Sequence, residues 1–185
     1  MRYLFILWVG SLLLLSSSPL FSGLFSEKYD DHFARYSGRY LPVYDWRWLK
    51  AQGYQESLFN PNAVSTSGAQ GIMQVMPRTW EDITDQLGII ASPYNPKVNI
   101  LVGAVYMNRM VRFWKAPRTN EERLQLAQAS YNAGAGNILA AQIKCQNKPS
   151  WKSISPCLRK VTGKHSAETL AYVQRIKRWY DELVG

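Results

Sequence analysis

Glu56 is followed by Ser57 and then by Asn60-Pro61-Asn62-Ala63-Val64-Ser65; Gln74 comes eighteen residues after it, in Gly71-Ile72-Met73-Gln74-Val75-Met76-Pro77. A lone carboxyl at the end of a short apolar helix, facing a loop of small and amide residues, suits one kind of chemistry. It can hold a proton near neutral pH and deliver it to a leaving oxygen. An ordinary glutamate has a pKa of about 4.3, so half-protonation at pH 7 requires raising it by about 2.7 pH units, or about 3.7 kcal/mol. Burial on an apolar helix face supplies most of that. The negative end of the helix adds about 0.3–1 kcal/mol against the anion. Standing alone, Glu56 would read far better as a solvated residue at a helix end.

The elements that would position Glu56 are helical. Asp45 is placed to cap a helix running to about Leu58, where Pro61 prevents continuation. Leu49, Gly53 and Glu56 then share one face. Before it, Glu27–Tyr36 has helical spacing, and Phe59–Val75 reads as a long ordered loop with at most a small β-hairpin. Pro77 opens a helix to Leu87, and Asn99 is expected to cap another from Ile100 to Phe113. Thr119 with Glu122 has capping-box spacing for a helix to Asn132. Tyr131-Asn132-Ala133-Gly134-Ala135-Gly136 ends it, a short helix follows to Ile143, and a loop rich in Lys, Ser and Pro holds Cys145 and Cys157. Ser166 begins a last helix with Leu170, Val173, Ile176, Trp179 and Leu183 facing inward. No repeat and no long strand pattern occurs, so the fold class is mainly α.

With 185 residues and 46% hydrophobic content, the chain can bury one ordinary core. Seven Trp and eleven Tyr fit that core, or a groove where rings stack on sugars. The formal charge of +9 favours an anionic partner such as nucleic acid, anionic lipid or cell wall. Lys and Arg are dispersed without a basic run of five, which argues against nucleic acid. Arg2 precedes an apolar stretch from Tyr3 to Leu15, broken by Ser16-Ser17-Ser18-Pro19: an export signal pattern. Uncharged residues reach Phe25, enough to span about 30 Å of hydrocarbon at about 1.5 Å per residue. The expected organisation is therefore a signal peptide or N-terminal membrane anchor (1–25), a helical extension (26–44) and a catalytic domain (45–185). In an exported chain, Cys145 and Cys157 are expected to form a disulfide. The only histidines, His32 and His165, lie far from both, which argues against a metal.

Five separated motifs, in order, resemble the catalytic domain of the lytic transglycosylases, relatives in fold of goose-type lysozyme. They are Glu56-Ser57; Ser65, Gly68-Ala69 and Gly71-Ile72-Met73-Gln74 with Met76-Pro77 and Trp80; Asn99-Ile100 with Gly103 and Tyr106; Tyr131-Asn132-Ala133-Gly134; and Glu168-Thr169 with Tyr172-Val173. The stretch from Asp45-Trp46-Arg47 to Glu56-Ser57 is closest to membrane-bound members. The resemblance implies a lysozyme-like helical fold, and cleavage in peptidoglycan of the β-1,4 bond between N-acetylmuramic acid and N-acetylglucosamine. It implies a single acid/base, no cofactor, and 1,6-anhydro ends formed by the sugar's own C6 hydroxyl. By motif position Glu56 is the acid/base, while Ser65, Gln74, Met76, Tyr131 and Asn132 meet the saccharide. Ser57, Gly134 and Glu168 support the site. Glu81, Asp82 and Asp85 are expected on an exposed face, leaving no dedicated second carboxylate. Peptidoglycan strands, the periplasm or cell envelope, inner-membrane association through the N-terminal segment, and a monomer are the matching expectations. The competing readings are a hydrolytic muramidase, a silent wall-binding module and a basic nucleic-acid binder.

Overall fold

A computed structural model describes residues 25–185; the expected leader or anchor falls almost wholly outside them. Among the described residues are eight α-helices: α1 (Asp30–Tyr40), α2 (Arg47–Ser57), α3 (Pro77–Leu87), α4 (Pro96–Phe113), α5 (Asn120–Ala133), α6 (Ala135–Lys144), α7 (Trp151–Thr162) and α8 (Ser166–Val184). The expected hairpin is reduced to two isolated antiparallel bridges, Val64 with Gln70 and Gln70 with Val75. None of these helices is long and apolar enough to cross a membrane.

Local chemistry sets most boundaries. The N-cap of α2 is Trp46, one residue after the expected Asp45, whose Oδ1 still accepts from the Arg47 amide at 2.9 Å. Pro77 starts α3 with its φ already helical, and Gly88 ends it in the left-handed region. The Thr119–Glu122 capping box forms in both directions. Two further expectations fail. The cap of α4 is Asn95, whose side chain accepts from the Val98 amide, with Pro96 next; Asn99 lies a turn inside and is fully buried. The cysteine loop is in large part helix α7, capped by Ser150. Pro156 is tolerated inside it partly because the Ser155 hydroxyl donates to the Lys152 carbonyl at 3.5 Å, the acceptor that proline leaves without its i→i−4 partner. Trp151, in the stretch expected to be that loop, is 7% exposed and belongs to the core.

That core has two lobes. One gathers Phe33 of α1, Leu49 of α2, Ile100 and Met107 of α4, Leu124 of α5, and Ile72 and Met73 of the loop. The other gathers Ala51 of α2, Leu126 of α5, Ile138 of α6, Ile154 and Leu158 of α7, and Tyr172 and Ile176 of α8. Helices α2 and α5 serve both lobes, so α5 is buried from Leu126 through Tyr131 without a break. The disulfide Cys145–Cys157 joins the end of α6 to α7, with 5.8 Å between Cα atoms.

Candidate active site

Glu56 occupies the last turn of α2, at the seam between the lobes. The residues around it hold that helix end in place. Gln55 Oε1 accepts from Arg175 Nε at 3.0 Å and Trp179 Nε1 at 3.1 Å, fastening α2 to α8. The Ser57 hydroxyl donates to the Ile72 carbonyl at 2.9 Å, fastening α2 to the loop. Leu58 and Phe59 then turn the chain away through two successive left-handed conformations, at φ 53° and 62°.

The loop is seated by Met73 and Asn99. Met73 lies between Gly53 of α2 and Gly103 of α4, where added Cβ atoms would fall 3.1 Å from its Sδ and 2.6 Å from its Cγ. Neither helix could approach so closely with a side chain at that position. The buried Asn99 amide accepts from the Met73 N–H at 2.8 Å and donates to the carbonyls of Gln70 and Pro93 at 3.1 and 2.8 Å. Read in the sequence as a cap, Asn99 clamps the loop.

Part of Glu56 remains open to solvent, yet its carboxyl is surrounded by protein. Burial raises its pKa to about 8; the Tyr172 hydroxyl, donating to Oε1 at 2.5 Å, opposes the rise, and the negative charge of Glu168 adds to it. Tyr131 feels the charge of the same carboxyl, and its hydroxyl donates to the Met73 carbonyl at 2.7 Å. Burial first, and the Glu56 charge second, hold the phenols of Tyr131 and Tyr172 well above the usual range. Tyr106 tilts against Tyr131 with ring centroids 4.8 Å apart. The site therefore pairs one protonated carboxylic acid with two neutral phenols.

Glu168 acts electrostatically on the Glu56 carboxyl, and that carboxyl acts in turn on Tyr131. Asn132 accepts from the Thr169 hydroxyl at 2.8 Å, and with Glu168 and Ser67 it lines an open pocket of about 460 Å³. Gly134 makes the break between α5 and α6 at φ 85°, a conformation that favours glycine. Ser65 and Gln74 spend polar atoms on the loop itself. Ser65 Oγ accepts from the Ala69 amide at 2.9 Å, and Gln74 Nε2 donates to the carbonyls of Gly71 and Ala63 at 2.9 and 3.2 Å. Met76 is 44% exposed just before α3, and Glu81, Asp82 and Asp85 face solvent. Sequence reasoning did not assign roles to Tyr172, Gln55 or Gln52. Tyr172 stood inside a matched motif, which was the available signal. Among the described residues, no three His, Cys, Asp or Glu cluster as metal ligands would.

A model of the transglycosylase SLT domain family matches residues 42–154. The membrane-bound lytic murein transglycosylase F of Shewanella halifaxensis is 36% identical over 172 residues, covering 85% of this chain and 34% of that protein. Its counterpart in Alcanivorax borkumensis is 31% identical, over 90% of this chain and 36% of that one. The chain thus spans about a third of the length of these curated relatives. Among solved structures, the 70 kDa soluble lytic transglycosylase of Escherichia coli superposes with a TM-score of 0.68 at 25% identity, over 87% of this chain and 25% of that one. An inactive glutamate-to-glutamine mutant of the lytic transglycosylase Slt from Pseudomonas aeruginosa gives 0.67 at 26%, over 84% and 24%.

Proposed function

The chain belongs to the transglycosylase SLT domain family, and from that premise we propose that it is a lytic murein transglycosylase using Glu56 as its single acid/base. It cleaves the β-1,4 bond between N-acetylmuramic acid and N-acetylglucosamine. The observation that carries this reading is the Glu56 carboxyl, kept protonated to about pH 8 at a helix end beside the Tyr172 hydroxyl. The protonated carboxyl gives its proton to the glycosidic oxygen as the bond to C1 breaks. The muramic acid C6 hydroxyl then bonds to C1, and its proton passes to the Glu56 carboxylate. Acid and 1,6-anhydro product are both accounted for, with no water consumed. Tyr172 donates to the carboxylate during the interval in which it is charged. Tyr131, Asn132, Ser65, Gln74 and Met76 are the residues proposed to line the strand's path.

The inactive glutamate-to-glutamine mutant of the Pseudomonas relative supports a glutamate of this kind. A disulfide and relatives named as membrane-bound support action in the cell envelope, and the apolar N-terminal segment is proposed as the signal or anchor. Purified Glu56→Gln should keep its circular dichroism and lose activity on peptidoglycan. Digests by the unaltered protein should carry anhydro ends, lighter by one water than reducing ends. One observation favours a second reading, hydrolysis: Glu168 brings a carboxylate to the pocket edge and acts on Glu56 electrostatically. As a base, it would activate water and leave reducing ends in the same digest.

A further inference from the structure

Away from the pocket over Asn132, a small cavity lies among α1, α2, α4, α5 and the connection from α1 to α2, which brings Leu41, Tyr44 and Asp45 to it. Four of its side chains bring polar atoms that are buried and have no protein partner: Ser37 Oγ, Tyr44 OH, Gln52 Nε2 and Gln128 Nε2. Ser37, Gln52 and Gln128 are each 1% exposed. A buried polar atom left unsatisfied is destabilising, so four around one space call for a common polar occupant. The volume open to a water molecule's centre is about 10 Å³, close to the roughly 10–15 Å³ that holds a single water with two to four partners.

Gln52 borders more than this cavity. It stands one turn before Glu56 on α2, and its side chain comes near enough to the Tyr172 phenol to offset slightly the upward push on that group. By strict geometry its Nε2 stays unpaired. We infer that Ser37, Tyr44, Gln52 and Gln128 hold one water molecule in this cavity, and that Gln52 carries the network to Tyr172, making it a positioning residue for the Glu56 acid. The positioning half rests on the proposed role of Glu56. An amide N–H directed at the Tyr172 oxygen leaves the phenolic proton for Glu56, and polarises it toward the carboxylate. The other titratable group that shifts Glu56 is Glu168 on α8; Tyr131 on α5 feels the charges of Glu56 and of Tyr106 on α4, while Asp45 at the cavity and the Asp30–Lys50 pair of α1 and α2 are not among the groups that shift Glu56.

Carbon-detected NMR titration of the Glu56 carboxyl in the full chain, assigned by its loss in Glu56→Gln, tests this without turnover. Gln52→Met should raise the midpoint by about 0.5 pH unit, about threefold in the protonation equilibrium. In a Tyr172→Phe background the same change should move it no further. A folded Gln52→Met with an unmoved midpoint, or an equal shift without the Tyr172 hydroxyl, overturns the positioning role. If Gln52→Met does not fold, Gln128→Met, which borders the same water, should shift the midpoint in the same direction, and an unmoved midpoint overturns the network. A crystal structure should show one ordered water bonded to at least two of the four atoms; a dry cavity overturns the site. A protein that titrates as expected but forms no anhydro ends keeps this network and loses the proposed reaction.

Discussion

At the scale of the residue, the acid proposed to do the chemistry also weakens the fold. Glu56 is held protonated in the folded chain to about pH 8, whereas its ordinary value is 4.5. The unfolded chain therefore releases this proton first as pH rises. The contribution of Glu56 to stability is full below about pH 4.5, falls between there and about pH 8, and is flat beyond. At pH 7 the loss amounts to at most about 3 kcal/mol. Glu56→Gln keeps an acceptor for Tyr172 and removes the ionisation. It should unfold at higher urea concentration than the parent at pH 7, and at nearly the same concentration at pH 4. Equal midpoints at both values would show that the carboxyl is not desolvated. Activity has the complementary limb. It should decline as pH rises through about 8, and Tyr172→Phe, which removes the one hydrogen bond favouring the anion, should move that limb upward while lowering the maximal rate by about tenfold or more. Glu56 was legible in the sequence because the helix stop and the loop lie beside it. Tyr172 stands 116 residues away, and no local spacing reports that the final helix returns across α2.

At the scale of the element, the loop between α2 and α3 has little secondary structure and is fixed from outside. Met73, seated between two glycines, and the buried Asn99 amide do that work. Gly103→Ala would place a methyl 2.6 Å from Met73 Cγ, and should destabilise the fold by about 1–3 kcal/mol through overpacking. Asn99→Leu leaves the Met73 N–H and two carbonyls without partners. It should cost about 2–4 kcal/mol and reduce activity more than Gly103→Ala does. Thermal melts with matched activity assays separate the two, and an active, stable Asn99→Leu would remove the clamp from this account. The same elements show why some boundaries were readable. Pro77, Gly88 and the Thr119–Glu122 pair act within a few residues of themselves. Asn99 did not, because its partners lie 6 to 29 positions back in the chain. Helix α7 was obscured by composition. Pro156 and the serines read as loop, while Trp151, Ile154 and Leu158 already carried helical spacing.

At the scale of the molecule, two lobes share α2 and α5, and the acid sits where they meet. Five motifs in order made the family and the helical class legible. Which motif faces which depended on tertiary pairing, and so did the cavity under Gln52. What composition did supply directly is charge. The chain carries 22 Lys and Arg against 13 Asp and Glu, for +9, dispersed along the sequence instead of gathered in one run. Such a charge would steer the molecule toward the polyanionic wall of the proposed function without specifying a contact. Raising salt from about 0.1 to about 1 M shortens the screening length from about 10 Å to about 3 Å. The fraction of protein that sediments with purified peptidoglycan sacculi should fall steeply over that range. The turnover of a short soluble glycan should change much less, because the Glu56–Tyr172 pair is enclosed and poorly screened. A parallel fall in both would place the salt-sensitive contacts inside the site, and salt-independent sedimentation would show that the wall is held by its sugars alone.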